Sequence, residues 1–121
     1  MRTEFITVAP EDTLGEVAEK MTALNVGSVV VKDFGTLIGI LTERDLLKAM
    51  AARVHSSEAR VRQFMTVNPM TAIPEMDCEE AEQLMLDRGF RHLPIVEGTD
   101  VVGVVSLRRV VAATKNAPAA R

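Results

Sequence analysis

Gly39-Ile40-Leu41-Thr42-Glu43-Arg44-Asp45-Leu46-Leu47-Lys48-Ala49-Met50 reads as the end of a β-strand turning directly into a helix. The turn falls at Thr42. Its hydroxyl can accept from a free N–H of the first helical turn, and the Asp45 carboxylate can reach back to the Thr42 N–H, which makes a capping box. The same place offers unpaired N–H groups and the positive end of a helix dipole, which suit a phosphate. A carboxylate one turn later suits a ribose diol. A plain cap and a nucleotide contact therefore compete for the same residues.

The pattern occurs a second time. Gly103-Val104-Val105-Ser106-Leu107-Arg108-Arg109-Val110-Val111 lies 64 residues later and keeps the glycine, the hydroxyl and the apolar positions. The acid is not kept: Arg109 stands where Asp45 stood. A cation in a first helical turn opposes the dipole by some tenths of a kcal/mol, so capping does not account for the second copy.

Outward from these turns the chain reads as two copies of one β-α-β-β-α unit. Phe5–Val8 is a short strand closed by Ala9-Pro10-Glu11-Asp12, and Thr13-Leu14-Gly15-Glu16 is a further capping box. Leu14, Val17, Ala18, Met21 and Leu24 recur at helical spacing, and Asn25-Val26-Gly27 stops that helix, with the glycine expected in the left-handed conformation. Ser28–Val31 is a strand covered on both faces, and Lys32–Thr36 a hairpin loop before Leu37–Leu41. The next helix runs from Glu43 to about Ala52, with Leu46, Leu47 and Met50 turned inward. Residues 53–63 are polar and read as a linker between repeat 1 (1–52) and repeat 2 (64–114). In the second repeat Thr71, Pro74 and Glu75 stand where Thr7, Pro10 and Glu11 stood, with no gap. Asp77 opens a helix that ends at Arg88-Gly89, Arg91–Val96 and Val101–Val105 are paired strands, and residues 107–113 form the last helix. The tail, 115–121, is expected to fray.

Composition removes several function classes. The chain has 121 residues, 47% hydrophobic and 26% charged, which suits one compact domain. No apolar run approaches the roughly 20 residues of a membrane span, and Met1–Glu4 has no long apolar segment behind its charge, so no membrane is expected and the cytoplasm is the expected compartment. One cysteine, Cys78, and two histidines give no cluster with metal-ligand spacing. A net charge of −3, no basic run longer than two residues, and no Trp or Tyr disfavour nucleic acid. His92 has no Ser or Cys nucleophile placed with it, so no catalytic residue and no enzyme activity are expected.

A repeat of roughly 50 residues buries too little surface to stand alone. The expected fold is α+β, two β-α-β-β-α repeats packed sheet to sheet with pseudo-twofold symmetry and two equivalent clefts. The duplication, the Gly39, Thr42 and Asp45 turn, and Arg91-His92-Leu93-Pro94-Ile95-Val96 resemble a pair of cystathionine-β-synthase (CBS) domains, a Bateman module, over nearly the whole chain.

That resemblance implies a regulatory module without chemistry of its own. It would sense an adenosine nucleotide, AMP, ADP or ATP, require no cofactor, pair as a homodimer and signal to an effector protein the sequence does not name. Carried over by position, Asp45 would take the ribose hydroxyls, Thr42 the phosphate or ribose, and Ile40 would flank the adenine. Pro69 and Met70 would border the base, with Arg91, His92 and Arg108 near the phosphates. Ile6, Gly27, Ser28, Val104 and Ser106 occupy the matching places of the second cleft. There Arg109 replaces the acid and Gly27-Ser28 replaces Arg91-His92, so an empty or weak site is expected, with Arg109 able to hold the phosphate of a differently oriented ligand. The alternatives are a structural dimerisation module without ligand, or a sensor of S-adenosylmethionine or NAD(H).

Overall fold

A computed structural model describes residues 4–107, in two compact units. One comprises Phe5–Pro69. The other comprises, among the described residues, Glu4 and residues 70–107. The helix expected at 107–113 beyond its first residue, the tail 115–121, and Arg108 and Arg109 lie outside the described residues.

In the first unit the strands are β1 (Thr7–Val8), β2 (Ser28–Asp33), β3 (Thr36–Thr42) and β4 (Thr66–Val67), in that spatial order. β1 and β2 are parallel, which requires a crossover, and α1 (Leu14–Leu24) provides it. β3 is antiparallel to both neighbours and runs straight into α2 (Glu43–Ala51). The second unit holds α4 (Cys78–Arg88) and the antiparallel pair β5 (His92–Glu97) and β6 (Asp100–Ser106), with Ala72 bridging in parallel to Ile95. Strands and helices mix as the α+β reading requires.

The duplication extends to single hydrogen-bond positions. Ser28 pairs with Thr42 and His92 with Ser106, and each hairpin shifts register at the same step, Val31/Lys32 and Ile95/Val96. The buried core of the second unit is Ala72, Ala81, Met85, Leu93, Ile95 and Val105. Each of these stands 64 residues after a core member of the first: Val8, Val17, Met21, Val29, Val31 and Leu41. One backbone is thus packed twice with different side chains.

The polar stretch read as a linker is built into the first unit. Leu14 N–H donates to Ala59 O at 3.0 Å and Gly15 N–H to Ser56 O at 2.9 Å, so this segment closes the start of α1. A short helix, α3 (Val61–Phe64), follows with Val61 fully buried, and Arg62 Nε meets Glu11 Oε2 at 2.7 Å. β4 then pairs with β3, Gly39 opposite Val67. The packed unit therefore extends past the sequence repeat, to Pro69.

Three local expectations are corrected. The residue that ends α1 in the left-handed conformation is Asn25 (φ 54°), not Gly27; asparagine tolerates that region, and its N–H bonds Met21 O. Leu24, at the last position of α1, is exposed, as are Leu47 (65%) and Met50 (75%) on α2. Only Leu46 and Ala49 of that helix's apolar residues meet the core, because a nine-residue helix docked along one narrow stripe leaves the other face outside.

A Cβ at Gly39 would lie 2.7 Å from the Thr66 carbonyl oxygen and 2.9 Å from Met65 Sδ. Gly39→Ala is therefore expected to push β4 off β3 and to lower stability by about 1–3 kcal/mol, read as a fall in the urea midpoint at unchanged m.

The Glu16 carboxylate accepts from Thr13 Oγ1 at 2.9 Å and from the Thr13 N–H at 3.2 Å, and these bonds hold its pKa below the ordinary 4.5, with help from Lys20 and Arg60. Because the folded value is depressed, this cap contributes in full above the unfolded pKa and is lost as pH falls through the folded one. In Thr13→Val the Glu16 carboxyl carbon, followed by NMR, should titrate closer to 4.5.

Candidate functional site

β3 brings Thr42 to the start of α2 in extended conformation, φ −116° and ψ 167°. The Thr42 N–H and hydroxyl both donate to Asp45 Oδ2, at 2.9 and 3.1 Å, and the Asp45 N–H donates to Thr42 Oγ1 at 3.3 Å. The cap is fully formed. All the side-chain bonds of Asp45 reach Oδ2, and among the described residues Oδ1 takes none.

The equivalent acids of the other capping boxes, Glu16 and Glu80, lie in exposed hydrogen bonds, whereas Asp45 is only 8% accessible. Among the described residues the buried polar or charged ones are Ser28 and Asp45, and Ser28 stands opposite Thr42 in the sheet.

The first turn of α2 has fewer donors to offer than the sequence suggested. Glu43 N–H is held by Gly27 O at 3.0 Å and Asp45 N–H by Thr42 Oγ1, which leaves the Arg44 N–H free among the described residues. Sequence reasoning missed Arg44; its place as the second helical residue was the available signal.

Within each unit, residues assigned to two different clefts prove to be neighbours. Gly27 and Ser28 adjoin Thr42, and half-buried Ile6 accepts from the N–H of Val30, which pairs with buried Ile40. In the second unit His92 pairs with Ser106, and Arg91 O accepts from Leu107 N–H at 2.7 Å, as Gly27 O does from Glu43. The Arg91 side chain is exposed, His92 is half-buried and Val104 is buried. Half-buried Pro69 ends the first unit, and Met70 begins the next part of the chain with its Sδ 3.6 Å from Arg88 Nη1.

Among the described residues no group of three or more His, Cys, Asp or Glu could hold a metal, and no helix is long and apolar enough to cross a membrane.

The CBS domain family model matches residues 1–52 and 61–116, one match for each copy of the strand-to-helix turn. The chain belongs to the CBS-domain family. It is 36% identical over 107 residues to the CBS domain-containing protein YhcV of Bacillus subtilis, covering 88% of this chain and 76% of that one. Other curated relatives are longer: this chain spans 58% of a Methanopyrus kandleri protein and 19% of an Arabidopsis thaliana CBS protein. The crystal structure of the CBS-domain containing protein ATU1752 from Agrobacterium tumefaciens matches with a TM-score of 0.85 at 34% identity, over 93% of this chain and 90% of that chain. The fold is shared with CBSX2, whose structure in complex with AMP gives a TM-score of 0.77 at 23% identity, over 97% and 94% of the two chains.

The CBS repeat thus explains why two turns share one backbone. Thr42→Val removes a hydroxyl that both donates and accepts, and should lower stability by about 1 kcal/mol in a urea titration.

Proposed function

We propose that this CBS pair is a regulatory module that senses an adenine nucleotide, AMP, ADP or ATP, and carries out no reaction of its own. The observation that carries the reading is Asp45. A carboxylate is buried at a helix N-terminus with one oxygen fixed by the Thr42 cap and the other left to accept from a ribose hydroxyl. The AMP bound by CBSX2, a protein of the same fold, supports the choice of ligand class.

In this reading Asp45 takes the ribose hydroxyls, Thr42 and the Arg44 N–H lie toward the phosphate, and Ile40 flanks the base. Pro69, Met70, Arg91, His92 and Arg108 are the further contacts proposed by position. The matching set, Ile6, Gly27, Ser28, Val104, Ser106 and Arg109, forms a weaker site. Ligand binding acts on signalling only through a difference in affinity between two states of the module or its assembly.

Asp45→Asn keeps an acceptor for the cap and removes the charge. Calorimetry should show AMP, ADP or ATP binding weakened about 10- to 100-fold, the worth of a charged hydrogen bond, with the circular dichroism spectrum unchanged. Unchanged affinity, or no thermal shift of the parent chain with any adenosine compound, would leave the turn as a cap alone.

The exposed Leu47 and Met50 on one face of α2 are proposed to pair two copies of the chain. The double substitution Leu47→Glu, Met50→Glu should shift a sedimenting dimer to monomer.

A further inference from the structure

The tip of the β2–β3 hairpin presents an aromatic ring with nothing around it. Phe34 is 101% accessible, and its backbone lies at φ 50°, in the left-handed region that bulky residues avoid. Gly35 follows at φ 80°, so both central residues have positive φ, the type I′ pattern in which asparagine or glycine normally takes the first place.

The β5–β6 hairpin has the same register and the same shift. It makes the same connection with a different two-residue turn, in which Gly98 (φ 66°), at the equivalent position, has positive φ and Thr99 does not. The fold therefore does not need a ring at residue 34, and the ring occupies a conformation a smaller residue would adopt more readily.

We propose that Phe34 is an anchor that inserts into an apolar pocket of a different protein, one whose rim carries a cation facing Asp33. A lipid surface is disfavoured, because exposed Asp33 adjoins the ring and the chain is net negative. A second copy of the chain is disfavoured too: a twofold contact between hairpin tips would set Asp33 against Asp33. One ring offers about 150–250 Å², far below the roughly 1,200–2,000 Å² of a stable association. It therefore serves as the central contact of a transient complex and does not hold one together alone. The inference is independent of nucleotide binding.

The test places p-benzoylphenylalanine at position 34 of the full chain in its producing cells and, as a control, at Thr99. After irradiation, the protein crosslinked at 34 and not at 99 is identified, purified and titrated against the parent chain and Phe34→Asn. About 30-fold or greater weakening by Phe34→Asn, with a thermal midpoint equal to or above that of the parent, supports the anchor. It is overturned by adducts only with lipid or with other copies of the chain, by no adduct distinct from the Thr99 control, by equal affinity for the two chains, or by a lowered midpoint in Phe34→Asn.

Discussion

A main-chain carbonyl just before the central strand holds the first N–H of the helix that follows the next strand. Gly27 O does this for Glu43, and Arg91 O does it for Leu107. This bond ties the helix start to the sheet at one register and puts the preceding residue, Thr42 or Ser106, at the strand's end opposite Ser28 or His92. It also uses a donor that an isolated helix would leave open, which is why the turn of the first repeat has one backbone N–H to offer where a count on the sequence gave several.

Duplication with divergence follows from that shared scaffold. The packed positions change only among apolar residues, Val17 to Ala81 or Val29 to Leu93, so volume is redistributed while the pattern of strand and helix persists. The residues at the turn change in kind: Gly27 to Arg91, Ser28 to His92 and Asp45 to Arg109. At these places the first repeat therefore carries one acid and the second two arginines and a histidine.

The stretch between the repeats has more to do than connect them. Its carbonyls at Ser56 and Ala59 occupy the first N–H groups of α1, and β4 extends the sheet past Gly39, where the absence of a side chain lets the Thr66 carbonyl approach. These contacts close α1 to any anion and leave α2 as the helix start in this unit with a donor to spare. A repeat defined by sequence and a unit defined by packing consequently end at different residues.

The sequence by itself determined the duplication, the capping boxes at Thr13 and Thr42, the strand-to-helix turns and the family, because these depend on local hydrogen bonding and on apolar periodicity that survives reading in one dimension. It misjudged Leu47 and Met50, since spacing says which residues share a helix face but not how wide a stripe the sheet covers. Tertiary structure alone decided that Asp45 is buried while Glu16 and Glu80 are wet, that residues 53–67 complete the first unit, and that Phe34 stands clear of it. Each of those facts depends on which distant segment arrives beside a residue, and the same capping motif carries no record of that.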